Sequence, residues 1–249
     1  MQMTPARRVT LAVCVPLALA LIGWTGFNVV ALVGTGQYSF ATPLTLRDGT
    51  LNANVSGGDV TLVPGSTAQL SGKITYSLIR PSVTVGDNGV TFRCSVPTGT
   101  CSMDGTMTVP RSANVNLSSG DGDLTVNGGI DGNVSLSSGA GDLTADGLAG
   151  IVSLKTGVGD IAASSLTASD VTVSSGAGDV TLRFTRVPSS VRVTSSVGDI
   201  TIVVPAGSYH IEGGSSVGDF SYPQGMNDTA SPHVISADSS VGDVTISEG

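Results

Sequence analysis

Histidine, tryptophan and lysine are almost missing from this chain. Its 249 residues include two histidines, one tryptophan, and lysine only at Lys73 and Lys155. Aromatic residues are 4% of the total, which excludes an ordinary core built on Phe and Trp. No H-E-x-x-H, G-x-S-x-G or P-loop pattern occurs, and His210 and His233 fall in different repeats. The residue sets of a zinc protease, a serine hydrolase and a nucleotide hydrolase are therefore absent. No segment after residue 35 has a helical period, so helices do not build the body of the protein. Positive charge is scarce as well. From Arg47 onward there are 9 basic and 19 acidic residues, a net of −10. Such a surface is the wrong partner for nucleic acid, whose phosphates call for Lys and Arg. Low charge with 34 glycines could suggest disorder, but Val, Leu, Ile and Ala recur periodically and give a buriable stripe.

The longest uncharged run lies at the start. Residues 9–34 read VTLAVCVPLALALIGWTGFNVVALVG, and Arg7 and Arg8 precede them. As a helix at about 1.5 Å per residue this run reaches about 39 Å, enough to cross a hydrocarbon core of about 30 Å with tilt. The two arginines hold residues 1–8 in the cytoplasm and place the rest outside. Ala18-Leu19-Ala20 offers the other reading, a cleaved signal peptide, but the apolar run continues well past it. Arg7-Arg8 lacks the aromatic-leucine pair of a twin-arginine signal. Cys14 has neither the small preceding residue nor the long preceding apolar run of a lipoprotein cysteine. Both surviving readings export the remainder, leaving residues 35–44 as a linker.

A repeated phrase fills the C-terminal half. It reads SSGDGDLTV around Asp123, SSGAGDLTA around Asp142, KTGVGDIAA around Asp160 and SSGAGDVTL around Asp179, and it continues around Asp199, Asp219 and Asp243. The steps are 19, 18, 19, 20, 20 and 24 residues. A period near 20 means one supersecondary unit stacked on itself. Within each unit, apolar residues alternate with polar ones on either side of the turn, as Val115 and Leu117 do before it and Leu124 and Val126 after it. Two short strands and two turns per unit predict an all-β, parallel β-helix-like solenoid over residues 113–249, with coils of about 19–20 residues. Antiparallel hairpins packed as a sandwich are the alternative. SGGDVTLVPG around Asp59 repeats the phrase once, and residues 45–112 are expected to form an irregular β cap. The chain ends on a repeat, so its last coil is expected to offer an open edge. Residues 223–231 are expected to bulge from one coil.

Two groups of residues could carry chemistry. Gly-x-Gly-Asp suits a sharp corner, because Gly tolerates positive φ and Asp hydrogen-bonds the backbone of its own turn. Stacked coils would line up Asp123, Asp142, Asp160, Asp179, Asp199, Asp219 and Asp243 about 4.8 Å apart. Such a row could bind calcium, the one candidate cofactor, although the tandem nine-residue repeats of calcium β-rolls are absent. Cys94 and Cys101 flank SVPTGT between the runs Val90–Val96 and Met103–Val109, which read as a hairpin. Outside the cell they would form a disulfide contributing about 2–3 kcal/mol. A lone C-x6-C spacing does not suit zinc. Lys155, Arg183 and Arg192 are the outward basic residues that could join the aspartates in a polysaccharide-cleaving site, but solvated surface charge explains them better.

The GDVTL phrase after the apolar segment, the Val-Pro near residue 109 and the repeating SSxGDhTh resemble a bacterial putative-adhesin family of β-strand-repeat domains of unknown function, over about residues 45–247. The resemblance implies an extracytoplasmic β-solenoid and brings no catalytic residues. The expected function is a membrane-anchored, non-catalytic adhesin or cell-envelope binding module whose Thr and Ser flank faces wall or surface glycans. Two alternatives remain: an envelope protein that self-assembles through its C-terminal coil, and a polysaccharide-active enzyme.

Overall fold

The chain was analysed as a computed structural model, which describes residues 35–77, 81–86, 89–93 and 101–249. The expected membrane segment, residues 9–34, and Cys94 lie outside the described residues. The described residues hold strands, turns and bends and no helix, as the composition requires.

Alternation builds the regular part. In β8 (Asn114–Asp121), β10 (Val134–Ala140), β12 (Val152–Val158), β14 (Asp170–Ala177) and β16 (Ser190–Val197), every second side chain is buried. The strands that follow the corners alternate likewise: β9 (Leu124–Val126), β11 (Leu143–Asp146), β13 (Ile161–Leu166), β15 (Val180–Phe184) and β17 (Ile200–Val204). Each set pairs in parallel with its own kind, so one coil crosses from the first sheet to the second at the Gly-Asp corner. Equivalent aliphatics stack: Val134 on Val115 and Val152, and Leu143 on Leu124 and Ile161. Both inner faces contribute to one core, which removes each fully buried Leu, Ile or Val from water at about 1.5–3 kcal/mol.

The N-terminal end is more ordered than a linker and an irregular cap. β1 (Thr35–Pro43) occupies the expected linker. Its Tyr38 and Phe40 are half-buried, whereas Gln37, Ser39 and Ala41 are exposed, a period of two. Residues 45–112 contain one regular coil, made of β2 (Thr50–Val55) and β3 (Val60–Pro64), which pair in parallel with β8 and β9. Asp59 and Asp123 are therefore 64 apart in sequence because an insertion, residues 65–113, stands between adjacent coils. That insertion folds back as β4 (Gln69–Ser77), β5 (Ser82–Gly86), β6 (Gly89–Arg93) and β7 (Cys101–Val109). β6 and β7 stack on β2 and β3, and antiparallel β5, β4 and β1 close the two sheet edges. The hairpin expected between Val90–Val96 and Met103–Val109 does not form. β6 lies in one sheet and β7 in the other, because the alternation of each points its apolar residues into the shared core.

The C-terminal end carries the largest difference. β20 (Val234–Val241) and β21 (Val244–Glu248) do not end the solenoid. They lie between β16–β17 and the coil formed by β18 (His210–Val217) and β19 (Phe220–Ser221). The open coil is thus residues 210–221. Burial explains the order. An internal layer must fill both its neighbours, and Ile235, Ala237, Val244 and Ile246 do so at 0–1% exposure. The end coil offers Ile211, Gly213 and Phe220 at the equivalent slots, and its β19 is two residues long. Residues 223–231 form the crossover that returns the chain past the end coil. They also plug it: Met226 is buried, its carbonyl accepts from the Tyr209 amide, and the Tyr209 hydroxyl donates to Pro205 O at 2.7 Å.

Candidate binding faces and the aspartate ladder

The phrase that defines the repeat builds a ladder along one corner. In spatial order its members are Asp59, Asp123, Asp142, Asp160, Asp179, Asp199, Asp243 and Asp219. Oδ1 of each of the first seven accepts the backbone N–H of the next at 2.8–2.9 Å. All eight residues are exposed. Adjacent charges about 4.8 Å apart repel by about 1 kcal/mol in water, and a charge-assisted bond to each carboxylate offsets this. The expected calcium row is thus brought together with the addition of Asp59, but every Oδ1 before the terminal Asp219 already serves the neighbouring coil. Among the described residues no group of three or more His, Cys, Asp or Glu is arranged to hold a metal ion. The glycine before each Asp has φ between +115° at Gly58 and +144° at Gly218. A shorter ladder of amides marks another corner, where Asn114 Oδ1 accepts from Asn133 N and Asn133 Oδ1 from Ile151 N.

Beside the aspartates runs an apolar ridge. The residue before each Gly-Asp pair stacks as Ala140, Val158, Ala177, Val197, Val241 and Val217. Val158 and Val217 are 60% and 64% exposed. Their backbones are tied to the corner, since the Gly141 amide donates to Val158 O and the Gly242 amide to Val217 O.

The two outer faces are polar and differ in relief. On the eleven-stranded sheet, Thr106, Thr61, Thr125, Thr144, Thr181, Thr201 and Thr245 form one row across adjacent strands, broken at Ala162. On the ten-stranded sheet the corresponding rows hold Asn, Ser, Thr and a few charges, and this face is hollowed. One depression of about 320 Å³ lies over Asn52, Asn54, Asn116 and Ser118. A second, of about 330 Å³, lies over Asn114, Asn133, Ser135 and Ser153. A third, of about 540 Å³, spans β14, β16, β20 and β18. The sequence signal for the third was HIEGGSSV, in which Gly213 and Gly214 stand where other repeats carry side chains.

The basic residues considered for a cleaving site are divided. Lys155 and Arg192 project from the ten-stranded sheet and Arg183 from the eleven-stranded one. The histidines end up in adjacent coils: His210 N donates to His233 O, and His233 Nδ1 lies 2.9 Å from Pro188 O. The hydroxyls of Ser165 and then Ser164 hold the Asp146 carboxyl below its ordinary value, and Ser165 takes φ +52° in the irregularity of β13. Cys101 is disulfide-bonded, and its expected partner Cys94 is among the residues not described.

Comparison with known proteins bears on the fold. A family model described as Toastrack DUF4097 matches residues 42–247. A putative adhesin of Bacteroides fragilis is 17% identical over 86% of this chain and 97% of that chain, with a TM-score of 0.54. A putative cell adhesion protein of Clostridium sporogenes is 14% identical over 86% and 100%, with a TM-score of 0.33. A putative lipid binding protein of Parabacteroides distasonis is 8% identical over 86% and 97%, with a TM-score of 0.31. No curated protein matches.

Proposed function

The chain belongs to the Toastrack DUF4097 family, and from that premise we propose that it is a membrane-anchored, extracytoplasmic adhesin or cell-envelope binding module without catalytic activity. Residues 9–34 anchor it, residues 1–8 stay in the cytoplasm, and the solenoid stands outside. In that oxidising setting Cys94 pairs with Cys101. The observation that carries the reading is the outer face of the ten-stranded sheet, where rows of hydroxyl and amide groups run beside three hollows. Groups of this kind match the donors and acceptors of glycan hydroxyls. The description of the Bacteroides fragilis neighbour as a putative adhesin agrees with this use of the fold.

The test is co-sedimentation of the full-length chain, in detergent, with purified cell-wall and surface polysaccharide. Saturable binding is expected, equal in calcium and in EDTA, with no soluble sugar released on long incubation. Absence of binding overturns the envelope reading, and release of sugar overturns the non-catalytic one.

Self-association is a second reading, and the valine ridge favours it. Four exposed valines, Val158, Val197, Val241 and Val217, make an apolar stripe along the corner. If copies pair along it, the double variant Val197→Asp, Val241→Asp sediments as a monomer in detergent where the parent sediments as a larger species. An unchanged profile removes the ridge from consideration.

A further inference from the structure

We propose that the open edge of the end coil, residues 212–221, docks an extended segment of another protein that carries Lys or Arg and adds one more layer to both sheets. This surface is independent of the glycan reading. β18 ends the ten-stranded sheet and β19 the eleven-stranded one. In a parallel ladder the N–H and C=O of one residue point to the same neighbour, and successive residues alternate. His210 N donates towards β20, to His233 O, so the backbone groups of Ile211, Gly213 and Ser215 point outward. The crossover covers the start of this edge, where Asn227 Oδ1 accepts from Ile211 N. Among the described residues no strand covers Gly213 and Ser215.

The inner side of the end coil is equally incomplete. Phe220 is half-buried, whereas Val244, its partner one coil inward, is fully buried. Tyr222 stacks edge-to-face on Phe220 at 5.5 Å and is 38% exposed. Asp219 ends the aspartate ladder: among the described residues no coil lies beyond it to donate an N–H to its Oδ1. Exposed edges of this kind are templates for a further strand, which binds through its backbone and is selected through its alternate side chains.

Charge and topology choose the occupant. Residues 206–249 carry Glu212, Asp219, Asp228, Asp238, Asp243 and Glu248 and neither Lys nor Arg. Two open edges of the same chain would oppose like charges. The other end of a second copy stops unevenly, at β1, two strands beyond β7, and at antiparallel β5, one strand beyond β6, so it cannot meet both edges at one level. A basic segment meets both requirements. Glu212 is exposed on the outer row, and a Lys or Arg in register on an added strand stands about 4.8 Å away. Gly213 leaves the adjoining inner position without a side chain, which makes room for a large apolar one on the partner.

The experiment is fluorescence anisotropy of a labelled synthetic peptide with the full-length chain in detergent. The peptide copies residues 190–202, SVRVTSSVGDITI, in which Arg192 belongs to the row of Glu212. Saturable binding is expected, weaker by about tenfold or more when the peptide carries Arg192→Glu. Glu212→Lys in the protein should reverse that preference with the melting temperature unchanged. The peptide N-methylated at Thr194 loses the N–H that Gly213 O accepts in this register, and it should also bind about tenfold more weakly. No binding, or an unchanged preference in Glu212→Lys, overturns the proposal. Equal binding of the N-methylated peptide means attraction by charge alone and overturns strand addition. If the parent sediments as a dimer that excess peptide separates, the occupant is a second copy and the basic partner is overturned.

Discussion

Deleting residues 234–249 is expected to disorder residues 210–221 as well, so that removing one coil costs two. Among the described residues β18 pairs only with β20, and β19 only with β21. The deletion takes away Ile235, Ala237, Val244 and Ile246 and uncovers Val191, Val193, Ile200 and Ile202 beneath them. At about 1.5–3 kcal/mol for each fully buried aliphatic, the loss is comparable with the about 5–15 kcal/mol that holds a whole domain. The freed coil carries the same SSVGD phrase and can settle on β16–β17, but Gly213 and Phe220 cannot rebuild the layer. Amide hydrogen exchange on the truncated chain checks this. Protection should vanish from residues 210–221 and persist in β8 to β15, as expected where each coil contacts only its neighbours. Retained protection in 210–221 would mean that the end coil stacks without the C-terminal one.

That experiment touches the point at which reading along the chain stops short. The period near 20 residues, the alternation within each unit and the Gly-Asp corner were enough to derive the coil, its parallel pairing and the aliphatic ladders. They report which residues face inward, but not which coil is next. Every coil carries a compatible edge, so spatial order is decided by how well each fills a layer between two others. Asp59 shows this at one end, since its partner is 64 residues away. Asp199 shows it at the other, with Asp243 as its neighbour and Asp219 beyond. The weaker inner slots at Ile211, Gly213 and Phe220 were the available signal. β1 was hidden for another reason: Tyr38 and Phe40 are only half-buried on an edge strand, and six residues of alternation beside a long apolar run do not separate a strand from a linker.

The candidate site was legible in type and not in place. A flank of Thr and Ser follows from the solvent slots of the repeat. The fold divides it between a flat threonine row and a hollowed face, and the hollow arises where Gly214 lacks a side chain that its register neighbours carry. The aspartate row was correctly grouped, yet its bonding could not be read in one dimension. The partner of each Oδ1 is the amide of the residue one coil away.

Gly178→Ala is expected to be among the most destabilising single substitutions in the chain, whereas Asp179→Asn beside it is expected to be nearly silent. Gly178 has φ +133°, and a Cβ there would collide with the Gly159 carbonyl and lie 2.9 Å from Asp160 Oδ1. The strained φ costs about 1–3 kcal/mol, and crowding against a rigid backbone typically about 1–3 kcal/mol more. At about 2–4 °C per kcal/mol for a chain of this size, the melting temperature should fall by roughly 10 °C. Asp179→Asn keeps an Oδ1 that can accept from Asp199 N, and it also removes one charge from a repelling row. Asp179→Ala loses that acceptor and should cost about 1 kcal/mol. Thermal unfolding of the three variants orders them Gly178→Ala, Asp179→Ala, Asp179→Asn, from most to least destabilised, in EDTA and in calcium alike. If instead both aspartate variants are equally destabilised, and only when calcium is present, the carboxylates act through a metal and not through the backbone of the next coil.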